Sequence, residues 1–232
     1  MSSIVLVSGA TPDSGCLPAT AARGRDEELL NSLTHGLGLV LSLAGSSALV
    51  TLAGKIGTPP YAVGCGVYGA SLVMLYAAST LYHSRPAGEW KRVFHLLDHI
   101  GIYVLIAGTY TPMVLFASRG MFGWLCLAAA WGFALVGSLA KVVRLDQLDD
   151  DSSMPYLVMG ALCLMSFRWL LANAPPGETK WLLAGFLFYF AGAIFYFNDE
   201  KRFYHSIWHL FVLAGSICHY RAVLGYVTTT ML

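Results

Sequence analysis

Three kinds of side chain in this sequence could act together: imidazoles, a carboxylate and a hydroxyl. His205 and His209 are four residues apart, so on a helix they stack on one face about 6 Å from each other, close enough to ligate one metal ion. Ser79 and His83 have the same spacing, which places a hydroxyl one turn deeper than a third imidazole. Three histidines with one open position make the tetrahedral arrangement in which Zn²⁺ brings the pKa of a bound water down to about 7. Asp98 is the carboxylate that would hold or deprotonate that water. His83, His205 and His209 are therefore the candidate metal ligands, and Asp98 and Ser79 the candidate catalytic residues. Plainer readings stand beside these. An H-x-x-x-H at a helix start also serves as an interfacial pair, Ser79 can bond back to the Leu75 carbonyl, and Asp98 can pair with Arg85, Lys91 or Arg92.

The other histidines compete less well. His95 and His99 flank Asp98, and neither is favoured as a ligand, His95 being nearer a loop where a solvated or hydrogen-bonded ring is the default. His35 reaches the same membrane face, where lining the cavity, capping and bonding between helices explain it equally. His219 lies about 21 Å along the helix from His205 and cannot share its ion, so a buried hydrogen-bonding role is expected.

These groups need a scaffold, and composition identifies its solvent. Of 232 residues 56% are apolar and only 12% charged, with a mean hydropathy of +0.62, whereas soluble domains run at roughly 45–50% and 25%. The net charge of +1 and the absence of any basic run argue against a nucleic-acid partner. The five cysteines form no C-x-x-C pair, and four of them fall in apolar runs, where they read as small hydrophobes rather than a disulfide framework.

Continuous apolar runs long enough to cross a roughly 30 Å hydrocarbon layer occupy residues 33–54, 61–82, 93–116, 121–143, 154–172, 181–197 and 207–227. The expected fold is all-α, a seven-transmembrane-helix bundle over residues 31–232, preceded by a flexible cytoplasmic tail at residues 1–30. Its one apolar stretch, residues 4–7, is too short for a signal core. Nine Lys and Arg residues fall on the side of the N-terminus and three on the other. Positive loops stay inside, so the N-terminus is expected in the cytoplasm and the C-terminus outside, in a multi-pass protein of the inner (plasma) membrane. Alternating topology then brings His83, Asp98, His205 and His209 to the cytoplasmic face. Recurrent glycines, among them Gly64, Gly66, Gly69, Gly101, Gly108, Gly185, Gly192 and Gly215, are expected to permit close helix packing. The aromatic run around Phe186 to Phe197 reads as lipid-facing surface, and Asp146, Asp149, Asp150 and Asp151 as a solvated loop.

The motifs have a further consequence. The segments around Glu28, Asn31, Thr34 and His35, around Ser79, Tyr82 and His83, from Leu97 to Pro112, and around His205, Trp208, His209 and Gly215 resemble the hemolysin III family, the bacterial branch of the progestin and adipoQ receptor family. The resemblance covers residues 27–227. It implies a seven-helix bundle with a cytoplasmic N-terminus and a zinc ion near the cytoplasmic face. It also implies metal ligands at His83, His205 and His209, with Asp98 reaching the metal through water and Ser79 beside it. Relatives in eukaryotes look like lipid amidases. Where many relatives have a proline ahead of the seventh-span motif, this chain has Phe203, which implies a different angle at the start of that helix.

Three functions follow as alternatives. The first is a zinc-dependent hydrolase acting on a lipid amide or ester, with membrane lipid as substrate. The second is a membrane-fluidity sensor or receptor-like protein with structural zinc. The third is a pore-forming hemolysin, disfavoured because no span has a strongly polar stripe.

Overall fold

A computed structural model describes residues 24–117, 120–144, 154–166, 169, 172, 174–175 and 177–231. Among them the secondary structure is helical, without strands. The helices are α1 (Arg25–Ile56), α2 (Pro59–Ser84), α3 (Glu89–Ala117), α4 (Met121–Val143), α5 (Met154–Met165), α6 (Thr179–Tyr196) and α7 (Tyr204–Met231). All except α5 are long and apolar enough to cross a membrane, which makes six such helices among the described residues. The twelve residues of α5 cover the first part of the run expected at 154–172, and most of the remainder lies outside the described residues. So do Cys16, Arg119, Arg168, the acidic loop from Asp146 to Asp151 and residues 1–23 of the expected tail.

The chain enters α1 earlier than expected. Residues 25–30, read from sequence as the end of the tail, already form its first turns, with Asp26, Glu27 and Glu28 at the positive end of the helix dipole. The other boundaries follow the local chemistry. Gly57 ends α1 in the left-handed conformation at φ 74°, its N–H donating to the Ala53 carbonyl. Pro59 and Pro60 then occupy the first positions of α2, where the missing N–H costs nothing.

The bundle is built around α2 and α3, which pack on each other along their lengths, with α1 against α2, α4 against α3, and α7 against both α6 and α1. Small residues set these approaches. A side chain on Gly101 would meet the backbone of Leu75 at 3.1 Å, and one on Gly108 would overlap Ser71. Of the glycines singled out for packing, only Gly66 faces open space. The core formed this way holds Tyr68, Leu72, Tyr76, Tyr103, Met113 and Val223.

The outer surface also carries many large apolar side chains. Leu33, Leu37 and Val40 on α1 and Leu135, Val136, Leu139 and Val143 on α4 are exposed, Val143 to 77%. A contiguous apolar surface of this extent requires lipid rather than water around it. The described cysteines Cys65, Cys126 and Cys218 are free thiols, as the scattered pattern implied.

Phe203 adopts φ 65°, the one non-glycine residue among those described with a left-handed backbone. Its N–H donates to Glu27 Oε1 at 3.2 Å. Proline, fixed near −65° and without an N–H, can do neither. The departure at this position is thus a different turn into α7, tied to α1.

Candidate metal centre

The end of α2 and the beginnings of α1 and α7 meet at one end of the bundle. There His83, His205 and His209 converge, with one nitrogen from each ring lying within 4.8 Å of the others. All three are buried, and their ring centroids are 5.3 Å (His83 to His205), 5.0 Å (His83 to His209) and 4.7 Å (His205 to His209) apart. The i, i+4 spacing supplies the α7 pair, and His83 comes from the last turn of α2.

Each imidazole is held from behind by an oxygen. His83 Nδ1–H donates to Glu28 Oε2 at 2.6 Å. His205 Nδ1–H donates to Asp199 Oδ2 at 3.3 Å. His209 Nδ1–H donates to the Asn31 carbonyl at 3.3 Å, with Thr34 Oγ1 at 3.4 Å. Oxygen partners at Nδ1 fix the tautomer in which Nε2 carries the lone pair, the arrangement usual behind metal-binding histidines. Tetrahedral Zn²⁺ at about 2.0–2.1 Å from each nitrogen needs them about 3.3 Å apart, so at most about 1.5 Å of closure per pair is required, within reach of side-chain adjustment. The donor set fits a metal ion.

The remaining predicted residues are placed as follows. Ser79 is fully buried one turn before His83, and its Oγ has no hydrogen-bond partner, so the back-bond to Leu75 is not made. Asp98 is half-buried on α3 between His95 and His99. Lys91, one of the cations considered as its partner, instead donates to Glu28 Oε1 at 3.1 Å and to the Tyr82 and Arg85 carbonyls. His35 stacks on His209 with centroids 3.5 Å apart and meets Tyr76 edge-on. His95 stacks on Tyr82 at 4.5 Å. His219 is buried as expected, its Nε2–H donating to the Leu182 carbonyl at 3.2 Å.

Sequence reasoning missed the groups behind the ligands: Glu28, Asn31 and Asp199. Glu27, Asn31 and His35 are all buried on one face of α1, and Glu28 lies one residue along it. A polar face at spacings of three, four and seven on a membrane helix was the available signal.

An apolar cavity of about 130 Å³ lies beside the cluster, between α2, α3, α5, α6 and α7. Leu75, Tyr156, Tyr196, Trp208, Val212 and His219 are among its walls. The Tyr196 ring is 5.3 Å from that of Trp208 and 6.0 Å from that of His205, so this wall lies next to the histidine cluster. Several of the α6 aromatics, expected at the lipid surface, instead face the cavity. Phe186, Tyr189, Phe190 and Tyr196 line the cavity, while Phe188 and Phe197 are exposed, Phe197 also reaching the cavity edge. A helix aromatic on every face carries no periodicity to separate the interior from lipid.

Fold and site together define a multi-pass α-helical membrane protein with a buried three-histidine cluster and an apolar cavity nearby. The family described as Haemolysin-III related matches residues 24–220, and the chain belongs to that family. It is 41% identical over 204 residues to Hemolysin-3 of Bacillus cereus, covering 88% of this chain and 93% of that protein. Hemolysin-3 homolog of Bacillus subtilis (strain 168) is 37% identical over 200 residues, covering 86% and 94%. Monocyte to macrophage differentiation factor of Homo sapiens is 28% identical over 212 residues, covering 86% and 84%. No solved structure matches. The resemblance read from the motifs is borne out, and the chain is a multi-pass protein of the plasma membrane.

Proposed function

We propose that the chain is a seven-span membrane protein, N-terminus in the cytoplasm and C-terminus outside, that holds Zn²⁺ on His83, His205 and His209 and hydrolyses an amide or ester of a membrane lipid. The observation that carries this reading is the convergence of three imidazoles, each anchored through Nδ1; an apolar cavity lies nearby, with Tyr196 of its lining 6.0 Å from His205. The Lys and Arg count supports the orientation.

Zn²⁺ in this setting supplies Lewis acidity, polarising a carbonyl and easing loss of a proton from water. The protein does the rest. Glu28, Asp199 and the Asn31 carbonyl keep the three rings in one tautomer and orientation. The cavity takes the acyl chain and excludes water. Asp98 receives the proton of the attacking water and returns it to the leaving amine or alcohol. Ser79, a buried hydroxyl without a partner, donates to the substrate carbonyl.

A second reading has its own support. The backbones of α2 and α7 approach each other less closely than those of α1 and α2 or α6 and α7, and the Tyr68 and Tyr76 hydroxyls bridge them at Val212 and Ser216, so an ion shared by them would add a tie at the histidine end, as a fluidity sensor with structural zinc requires. The test is metal analysis of wild type and His209→Ala, with fatty-acid release from a lipid panel by wild type and Asp98→Ala. Loss of metal in the first variant and loss of turnover with metal retained in the second are expected. Turnover that survives Asp98→Ala would remove Asp98 from the proton transfer, absence of fatty-acid release by zinc-loaded wild type would remove the hydrolase reading, and unfolding of metal-free protein would favour the structural one.

A further inference from the structure

A second buried polar group lies where α3, α4 and α5 meet. Lys141 is only 2% exposed. It ends the inward-facing stripe Leu127, Ala130, Ala134, Gly137 and Lys141 of α4, while Leu139, Val142 and Val143 beside it face outward. This lysine therefore does not snorkel along the lipid surface; it turns into the bundle, where an ionisable group is costly and by default functional. Its Nζ is 5.0 Å from the centre of the Tyr156 ring. Tyr156 in turn meets His99 edge-on at 6.2 Å, and His99 is buried with no hydrogen-bond partner at Nδ1. An ammonium, an imidazole and a phenol form a set rich in donors, which is chemistry for an anion.

The cavity lies between a residue that meets this group and one that meets the histidine cluster. Tyr156 is one of its walls, and Tyr196 and Trp208, the neighbours of His205, are another. A lipid whose chain fills the cavity thus has a cationic group beside one wall and the histidine cluster beside another. We infer that Lys141, with His99 and Tyr156, binds the anionic headgroup, a phosphate or carboxylate, of a lipid whose acyl chain occupies the cavity. Resting on the hydrolase reading, this makes the substrate an anionic lipid rather than a neutral one.

The test uses full-length protein, delipidated in detergent and offered an equimolar mixture of phosphatidylglycerol and phosphatidylcholine. Retained lipid is read by native mass spectrometry and zinc content is measured in parallel. Wild type is expected to prefer phosphatidylglycerol, and Lys141→Met to lose about tenfold or more of that preference with zinc unchanged, as befits loss of a charge-assisted bond. Lys141→Arg retains the charge and should keep the preference, and His99→Gln should lose part of it, so two further variants carry the test if Lys141→Met does not fold. An undiminished preference in Lys141→Met overturns the inference. So does displacement of the lipid by inorganic phosphate alone, which would make the site one for free anions. Because binding is read separately from turnover, Lys141-dependent preference without fatty-acid release sustains the headgroup site while removing the hydrolase. Equal hydrolysis of both lipids, indifferent to Lys141→Met, does the reverse.

Discussion

Glu28 gives the sharpest test of how the centre is built. Its carboxylate accepts from His83 Nδ1–H at 2.6 Å and from Lys91 Nζ at 3.1 Å. Glu28→Ala removes the carboxylate that accepts from His83 Nδ1–H while leaving all three imidazoles in place. A hydrogen bond to a charged group contributes about 1.5–3 kcal/mol, which converts to roughly 10–150-fold in an equilibrium constant. Loss of a group behind a metal-binding histidine usually costs 10–100-fold in metal affinity, so the two routes to the magnitude agree at about one to two orders. The assay is competition for zinc against a chelator of known affinity, with helix content followed by circular dichroism. Glu28→Gln, which keeps an acceptor oxygen but not the charge, should fall between wild type and Glu28→Ala. Lys91→Met acts on the ring indirectly, through Glu28 and through Tyr82, and should cost less than Glu28→Ala. A Glu28→Ala protein that remains folded and binds zinc within about twofold of wild type would refute the reasoning, because a difference that small is only about 0.4 kcal/mol.

Other consequences follow from packing and topology. Gly185→Ala places a methyl group into the His219 ring and should lower stability in detergent by about 1–3 kcal/mol, seen as a reduced thermal midpoint. Gly66→Ala, facing open space, should stay within about 0.5 kcal/mol, and equal effects at both sites would refute the packing account. Ser216 Oγ bonds the hydroxyls of both Tyr76 (2.8 Å) and Tyr189 (2.9 Å). Ser216→Ala should therefore cost about 1–3 kcal/mol per hydroxyl left without that partner, and an unchanged denaturation midpoint would contradict this. For orientation, a cysteine at Thr58 should react with an impermeant thiol reagent on intact cells, and one at Ala87 only after permeabilisation. The opposite pattern would invert the bundle.

The helices were legible because lipid imposes a simple rule: a span is a long apolar run, and the apolar runs ending near Gly54, Tyr82 and Val143 coincide with helices that end within two residues of them. The start of α1 was misread because Asp26, Glu27 and Glu28 look like a solvated tail, yet they begin a helix whose buried face carries Glu27, Asn31 and His35. The three imidazoles were legible through spacing and alternation of topology, since both are properties of single helices. Glu28, Asn31 and Asp199 were not, because their role depends on how α1 and the α6–α7 turn sit against α2 and α7, a relation that no periodicity encodes. The inward turn of Lys141 was hidden for the same reason. In sequence it reads as one more cytoplasmic positive charge near a helix end.

The first turns of α1 touch the centre from both sides. Glu28 grips the α2 imidazole, the Asn31 carbonyl and Thr34 reach the second α7 imidazole, Asn31 Oδ1 accepts from Ser206, and Glu27 holds the backbone at Phe203. The separation between His83 and the α7 pair is thus gauged by a helix that contributes no ligand. Any event that rotates or unwinds those turns by a few residues would respace the donors without touching one of them.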